Sequence, residues 1–238
     1  MTAPELLLAR LRGGLVVSVQ TYADSLLNAP ETIALFARVA EANGAVGVRI
    51  EGTGRIAAVR AAVAVPIVGI VKCARAGFAP YITTTREEID AVAAAGAQIV
   101  AFDATLRPRS GGATVADLVA RAHARGLAAM ADCATEAEAG GAIEAGADIV
   151  ATTLAGYTSE TQGRRLPALD VLAWIAARHA FAVCEGGIGD PHAARAAFAC
   201  GASAVVVGSA ITNVDALVRR FAEIAPRAGG ATAEERST

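Results

Sequence analysis

The sequence predicts an α/β chain folded as a single (β/α)8 barrel, with a short N-terminal helix closing the barrel bottom. Three observations predict it. Short apolar, β-branched runs recur eight times along the 238 residues. Alanine-rich segments with helical spacing separate them. A Gly-Ala pair returns at Gly44-Ala45, Gly96-Ala97, Gly146-Ala147 and Gly201-Ala202, at intervals of 52, 50 and 55 residues. Each interval fits a pair of strand-helix units.

The elements follow in order. Residues 1–13 set charges among leucines and read as the closing helix. LVVSV (15–19) is the first strand, and Pro30–Asn43 a helix after it. AVGVRI (45–50) and PIVGIVK (66–72) are the second and third strands. Arg86–Ala95 opens behind Thr85 with Glu88 three residues on, the signature of a capping box. QIVAFD (98–103), helix Val115–Arg125, LAAMAD (127–132) and helix Glu136–Ala145 continue the alternation. DIVATT (148–153) precedes helix Ala168–Arg178, and FAVCEG (181–186) precedes Pro191–Ala199. That last helix starts behind Asp190 with proline in its first turn, where a missing N–H costs nothing. AVVVG (204–208) and helix Val214–Ile224 end the series. Runs this apolar, with no polar alternation, suit strands buried on both faces of a parallel sheet. A doubly wound open sheet is the competing architecture; eight units in this length favour the closed barrel. No linker interrupts residues 1–225, which are expected to form one catalytic barrel domain. Residues 226–238 (PRAGGATAEERST) are small and polar, and are expected to form a solvated, disordered tail.

Composition narrows the function classes. The formal net charge is −2, which offers no broad basic field for nucleic acid. Hydrophobic residues make up 54%, yet the longest apolar run is 11 residues, Ala61 to Val71, with Pro66 inside. A spanning helix needs about 20, so no membrane partner is expected. The N-terminus has no apolar signal core, and Cys73, Cys133, Cys184 and Cys200 form no CxxC pair. Reduced thiols and a cytoplasmic location are the expectation. His123, His179 and His192 fall on helices or helix starts and are expected at the surface, so no metal site is predicted. Trp174 reads as outer-layer packing, and Tyr157 as either a cover for the site or a cap on the barrel. Alanine-rich outer helices suit a homodimer.

In such a barrel the chemistry sits at the C-terminal ends of the strands. Those ends carry Gln20, Arg49, Lys72, Asp103, Asp132, Thr152 with Thr153, Glu185, and Gly208 with Ser209. A polar ring over an apolar barrel suits a small polar substrate. The loops after strands seven and eight, Gly186-Gly187 and Gly208-Ser209, read as a phosphate cradle, because glycines let backbone N–H groups approach an anion. Lys72 is the only lysine beside 20 arginines. An amine at a dry barrel mouth loses its charge more easily, and can then act as a base or a Schiff-base nucleophile; an arginine cannot. Glu185 stands on the opposite strand. It is either a second acid/base or an ion-pair partner that orients Lys72. Arg49 suits a phosphate or an enolate, with Glu51 or a strand-end carboxylate as its structural partner. Gln20, Asp132 and Thr153 are candidate substrate contacts. Asp103 stands between a substrate role and ordering its own loop.

At these residues the chain resembles the N-acetylmannosamine-6-phosphate 2-epimerases of bacterial sialic acid catabolism. The matching segments are GGLVVSVQ (13–20), GAVGVRIEG (44–52), PIVGIVK (66–72), FDATLRPR (102–109), MADCATEAEA (130–139), ATTLAGYT (151–158), CEGGI (184–188) and GASAVVVGSAIT (201–212). The resemblance implies a TIM barrel isomerase that interconverts N-acetylmannosamine 6-phosphate and N-acetylglucosamine 6-phosphate without a cofactor. It makes Lys72 and Glu185 the catalytic pair, Gln20, Arg49 and Asp132 substrate contacts, and the two glycine loops the phosphate contacts. There are departures. Val19-Gln20 stands where the family has Cys-Gln, Lys72-Cys73-Ala74 where it has Lys-Arg-Asp, and Gly187 where it often has Arg. A Schiff-base lyase or aldolase acting through Lys72 and a non-catalytic sugar-phosphate sensor are the alternatives.

Overall fold

The computed structural model describes residues 3–179 and 181–225. The tail expected at 226–238 lies outside them. Strands β1 (Leu15–Val19), β2 (Gly47–Glu51), β3 (Ile67–Ile70), β4 (Ile99–Asp103), β5 (Ala128–Asp132), β6 (Ile149–Ala151), β7 (Ala182–Glu185) and β8 (Ala204–Val207) are all parallel and close into a barrel in sequence order. The register Leu15↔Val205 joins β1 to β8 and seals the ring. The open-sheet alternative is therefore not what the chain adopts.

Each strand places alternate residues on opposite faces. One set fills the barrel interior: Val16, Val68, Ile70, Ile99, Ala101, Met130, Ile149, Val183 and Val206. The other set faces the helices: Val17, Val48, Ile50, Val100, Phe102, Ala129, Val150, Cys184 and Val205. The helices are α1 (Ala3–Leu11), α2 (Pro30–Ala42), α3 (Thr53–Arg60), α4 (Arg86–Ala94), α5 (Val115–Ala124), α6 (Glu136–Glu144), α7 (Leu169–Ala176), α8 (Pro191–Ala199), α9 (Ser209–Thr212) and α10 (Val214–Ile224). Their inner faces mix larger aliphatics, such as Ile33, Ile89, Leu118 and Leu172, with alanine. Ala37, Ala122, Ala139, Ala142 and Ala197 are all fully buried against the barrel.

Local sequence explains the helix ends. Thr85 caps α4 with the expected box to Glu88, and Thr114 and Thr135 cap α5 and α6 in the same way. The glycines after the helices reverse the chain. Gly96, for example, has φ +94, a conformation that an L side chain resists. Helix α3 has no counterpart among the segments expected from periodicity. It starts directly behind Gly52 and buries only Ile56 and Val59, too few apolar positions to mark a helical face.

Helix α1 closes the bottom as expected. Leu11 is buried in the interior cluster, with Leu7 and Leu8 packed on it. Arg10 donates to the Ala64 carbonyl ahead of β3, and the Gly13 N–H to Ser203 O ahead of β8. The Arg12 guanidinium stacks over Phe181 ahead of β7. Helix α10 behaves differently from the others. It leans on the loop after β1, where Ser25 donates to Asp215 and Arg219 stacks over Tyr22. Val214, Val218, Phe221 and Ile224 are exposed along it. No helix among the described residues is long and apolar enough to cross a membrane.

Candidate active site

The alternation that fills the interior with Val68 and Ile70 sends the next inward positions to the mouth. There it presents Ser18 and Gln20 from β1, Arg49 and Glu51 from β2, Lys72 beyond β3, Asp103, Asp132, Thr153 beyond β6, and Glu185. The mouth is thus polar for the same reason that the barrel below it is dry.

Arg49 lies at its centre, 1% exposed. Its Nη1 and Nη2 donate to Asp132 Oδ1 and Oδ2 at 3.1 and 2.7 Å, and Nη1 also donates to Glu185 Oε2 at 2.9 Å. Nε has no partner among the described residues. Arg49 thus pairs with strand-end carboxylates from across the barrel, and not with Glu51, which takes Arg55. Thr153 Oγ1 lies 2.7 Å from Asp132 Oδ1 and 3.1 Å from Glu185 Oε2. Two carboxylates therefore share one guanidinium and one hydroxyl. Burial and the neighbouring Asp132 push Glu185 up to about 7, against the pull of Arg49. For Arg49 itself burial works to release the proton. The charges of Asp132 and Glu185 outweigh it, so its pKa is raised.

Lys72 stands two residues past the last residue of β3. It is held there by an antiparallel bridge to Ile82 from the following loop. The loop is stitched down by Cys73 N to Tyr81 O at 2.8 Å and Thr83 N to Val71 O at 2.8 Å. Lys72 Nζ donates to Gln20 Oε1. Lys72 and Glu185 make no ion pair among the described residues, so the glutamate's direct partner is Arg49. Burial and the Arg49 charge hold Lys72 below its ordinary value, with Glu51, Glu185 and Asp132 opposing. A lysine drawn toward neutrality and a carboxyl group poised near neutral pH share one mouth. That is the equipment of a two-group proton transfer.

The glycine loops lie beside them. Gly186 and Gly187 have φ +99 and +73. A Cβ on Gly187 would come 2.3 Å from Leu166 Cβ, so an arginine there would require the loop to move. A Cβ on Gly186 would sit 3.6 Å from the Tyr157 ring, which places that exposed tyrosine against the loop. Gly208 caps α9 and Ser209 opens it; the Ile211 and Thr212 N–H groups turn back to Gly208 O at 2.8 and 2.9 Å.

The remaining residues sort plainly. Asp103 is turned to its own loop and accepts from Thr105 and Arg107. Cys133 and Cys184 are core thiols. Trp174 packs in the outer layer under Arg178. His179 departs from the expected surface setting. It is half-buried, with Nε2 2.9 Å from Ala147 O, and ties β6 to β7 at the barrel bottom. The described residues contain no group of three or more His, Cys, Asp or Glu side chains arranged to hold a metal. Ser18 is a site residue absent from the strand-end ring, and Glu51, expected only as a partner for Arg49, also faces the mouth; both share the inward parity of Gln20 and Arg49.

The sequence family described as "Putative N-acetylmannosamine-6-phosphate epimerase" matches residues 33–226. A "Putative N-acetylmannosamine-6-phosphate 2-epimerase" of Synechococcus elongatus is 45% identical, over 90% of this chain and 94% of its own length. One of Escherichia coli is 43% identical, over 85% and 87%. Among solved structures, the N-acetylmannosamine-6-phosphate 2-epimerase of Clostridium perfringens superposes with a TM-score of 0.88 at 33% identity, covering 92% of this chain and 96% of that one. With its barrel, its polar mouth and these matches along most of its length, the chain belongs to the N-acetylmannosamine-6-phosphate epimerase family.

Proposed function

We propose that this protein is an isomerase that interconverts N-acetylmannosamine 6-phosphate and N-acetylglucosamine 6-phosphate, in sialic acid and amino sugar catabolism. The observation that carries the reading is that Lys72 and Glu185 reach one barrel mouth, with Glu185 on a buried Arg49, in a chain of this family. In the open-chain sugar the C2 proton lies alpha to the C1 aldehyde and is acidic enough to move. Lys72 removes it and Glu185 returns one to the other face; the reverse reaction exchanges the roles. The enolate that forms between the two steps gains from the fixed positive charge of Arg49 below it. Gln20, Asp132 and Thr153 bound the substrate's side of the mouth. The Gly186-Gly187 and Gly208-Ser209 loops take the phosphate through backbone N–H groups. The chemistry as written calls for no cofactor.

Proton NMR with either 6-phosphate in deuterated water tests the reading. Interconversion with deuterium entering at C2 supports it. A protein that leaves both sugars unchanged, or a borohydride-trapped adduct on Lys72, overturns it. The pH profile gives a second check. Activity requires one proton shared by the pair, so it falls where both groups are protonated and where both have lost theirs. The acid limb is expected near Glu185's value of about 7, and the alkaline limb below a free lysine's. Glu185→Gln cannot carry the returning proton, so the limb near 7 is expected to vanish, and the activity that remains in the direction using Lys72 as base is expected to fall at low pH as Lys72 itself becomes protonated.

The catalytic unit in this reading is one barrel, residues 1–225, working in the cytoplasm, where sugar phosphates are held. It functions as a homodimer. Support comes from the exposed stripe of Val214, Val218, Phe221 and Ile224 on α10. Sedimentation is expected to give a dimer, and Phe221→Glu to weaken it. A monomeric wild-type protein removes the claim.

A further inference from the structure

We propose that Ser18 is a positioning residue for Lys72, acting through the amide of Gln20. The inference rests on Lys72 being the base of the reaction proposed above. Ser18 sits two residues before Gln20 on β1 and faces inward, 4% exposed. Gln20 Nε2 donates to Ser18 Oγ at 2.6 Å, and Gln20 Oε1 receives Lys72 Nζ. The serine hydroxyl accepts from the amide's NH2 group and so anchors the end of Gln20 that does not meet the lysine.

The choice matters because an amide has a donor end and an acceptor end. A neutral amine carries one lone pair, and that pair must point at the substrate proton. With the carbonyl oxygen toward it, Lys72 spends an N–H on Gln20 and keeps the lone pair free. With the amide reversed, the NH2 group would donate into that lone pair and occupy it. It would also set N–H dipoles against the ammonium form. The bond to Ser18 anchors the amide while it is in the productive orientation.

Ser18 is in turn fixed to the loop after β8. Thr212 Oγ1, at the end of α9, lies 2.8 Å from Ser18 O and 3.2 Å from Gly208 O. Gly208 packs directly on Ser18: a Cβ there would fall 3.3 Å from Ser18 Cβ. The chain of contacts therefore runs from the proposed phosphate loop through Ser18 and Gln20 to the lysine. The end of β1 cannot shift without disturbing both.

The test compares wild-type protein with Ser18→Ala and Ser18→Thr, measuring kcat and KM by NMR across the working pH range. Ser18→Ala frees the amide. Its kcat is expected to fall about tenfold while KM changes less than twofold, a small share of the range typical of proton-transfer groups. The alkaline limb, set by Lys72, is expected to move to lower pH, because a reversed amide disfavours the ammonium ion. Ser18→Thr keeps the hydroxyl and restores both. If Ser18→Ala fails to fold, Ser18→Cys, nearly isosteric and a weak acceptor, is expected to show the same shift. Wild-type kcat in Ser18→Ala overturns the proposal. So does a loss of rate with the alkaline limb unmoved, which marks a merely structural serine. Failure of the underlying reading is distinguishable, since the wild-type protein itself would then leave the C2 proton in place.

Discussion

Lys72→Ala is expected to lower kcat about 10³-fold and to stop deuterium entry at C2, within the range that a positioned base supplies. Lys72→Arg is expected to lose nearly as much. Arginine restores the charge and most of the length, but it stays protonated and cannot accept the substrate proton. The two variants together separate a base from a fixed cation. If Lys72 only balanced the charge of Glu185 and Asp132, arginine would rescue, and a rate within tenfold of wild type in Lys72→Arg would refute the base. The composition makes the same point. Twenty of the 21 basic side chains are arginine, and the one lysine stands at the mouth.

Arg49→Met is expected to cost stability as well as activity. It removes the guanidinium from between Asp132 and Glu185 and leaves two buried carboxylates facing each other. Breaking a buried pair from one side costs about 3–5 kcal/mol. At this chain length that is roughly a 10 °C drop in Tm. The loss depends on pH in a defined direction. Glu185's folded pKa is raised, so its titration contributes stability that is complete below its unfolded value and lost as pH rises through about 7. Without Arg49 to favour the carboxylate, that folded pKa rises further. The Tm deficit of Arg49→Met is therefore expected to shrink as pH is lowered from 8 toward about 5, where Glu185 is neutral. A Tm equal to wild type at pH 8 would show that Arg49 is not the counter-ion that its contacts describe.

Much of this site was legible from alternation alone. Strand ends whose inner neighbours are Ala101, Met130 and Val183 must turn their next inward residue to the mouth. That is how Asp103, Asp132 and Glu185 fall into one ring. Partner choice was not legible. Glu51 lies two residues from Arg49 in sequence, while Asp132 and Glu185 lie 83 and 136 residues away, and only the closed ring brings them to it. Lys72 was placed on the third strand by its apolar run. The strand stops at Ile70, and the lysine is carried by a bridge to Ile82 that no local pattern announces. Ser18 escaped notice because a lone serine inside an apolar strand resembles a tolerated interruption. Helix α3 escaped because eight residues with two buried side chains carry little periodicity.

The alanines set between barrel and helices have a consequence for how this protein can change over time. At the larger positions of this layer, such as Ile33, Ile89 and Leu118, the common injury is a void left by a smaller replacement. Ala37, Ala122, Ala139, Ala142 and Ala197 are already near the minimum size and fully enclosed. The injury at these positions is crowding, because one extra methylene must push a helix off its strand. Drift through these sites is therefore limited from above. The lineage can exchange alanine with glycine or serine at modest loss, but growth in side-chain volume has to be matched by a compensating reduction on the facing strand.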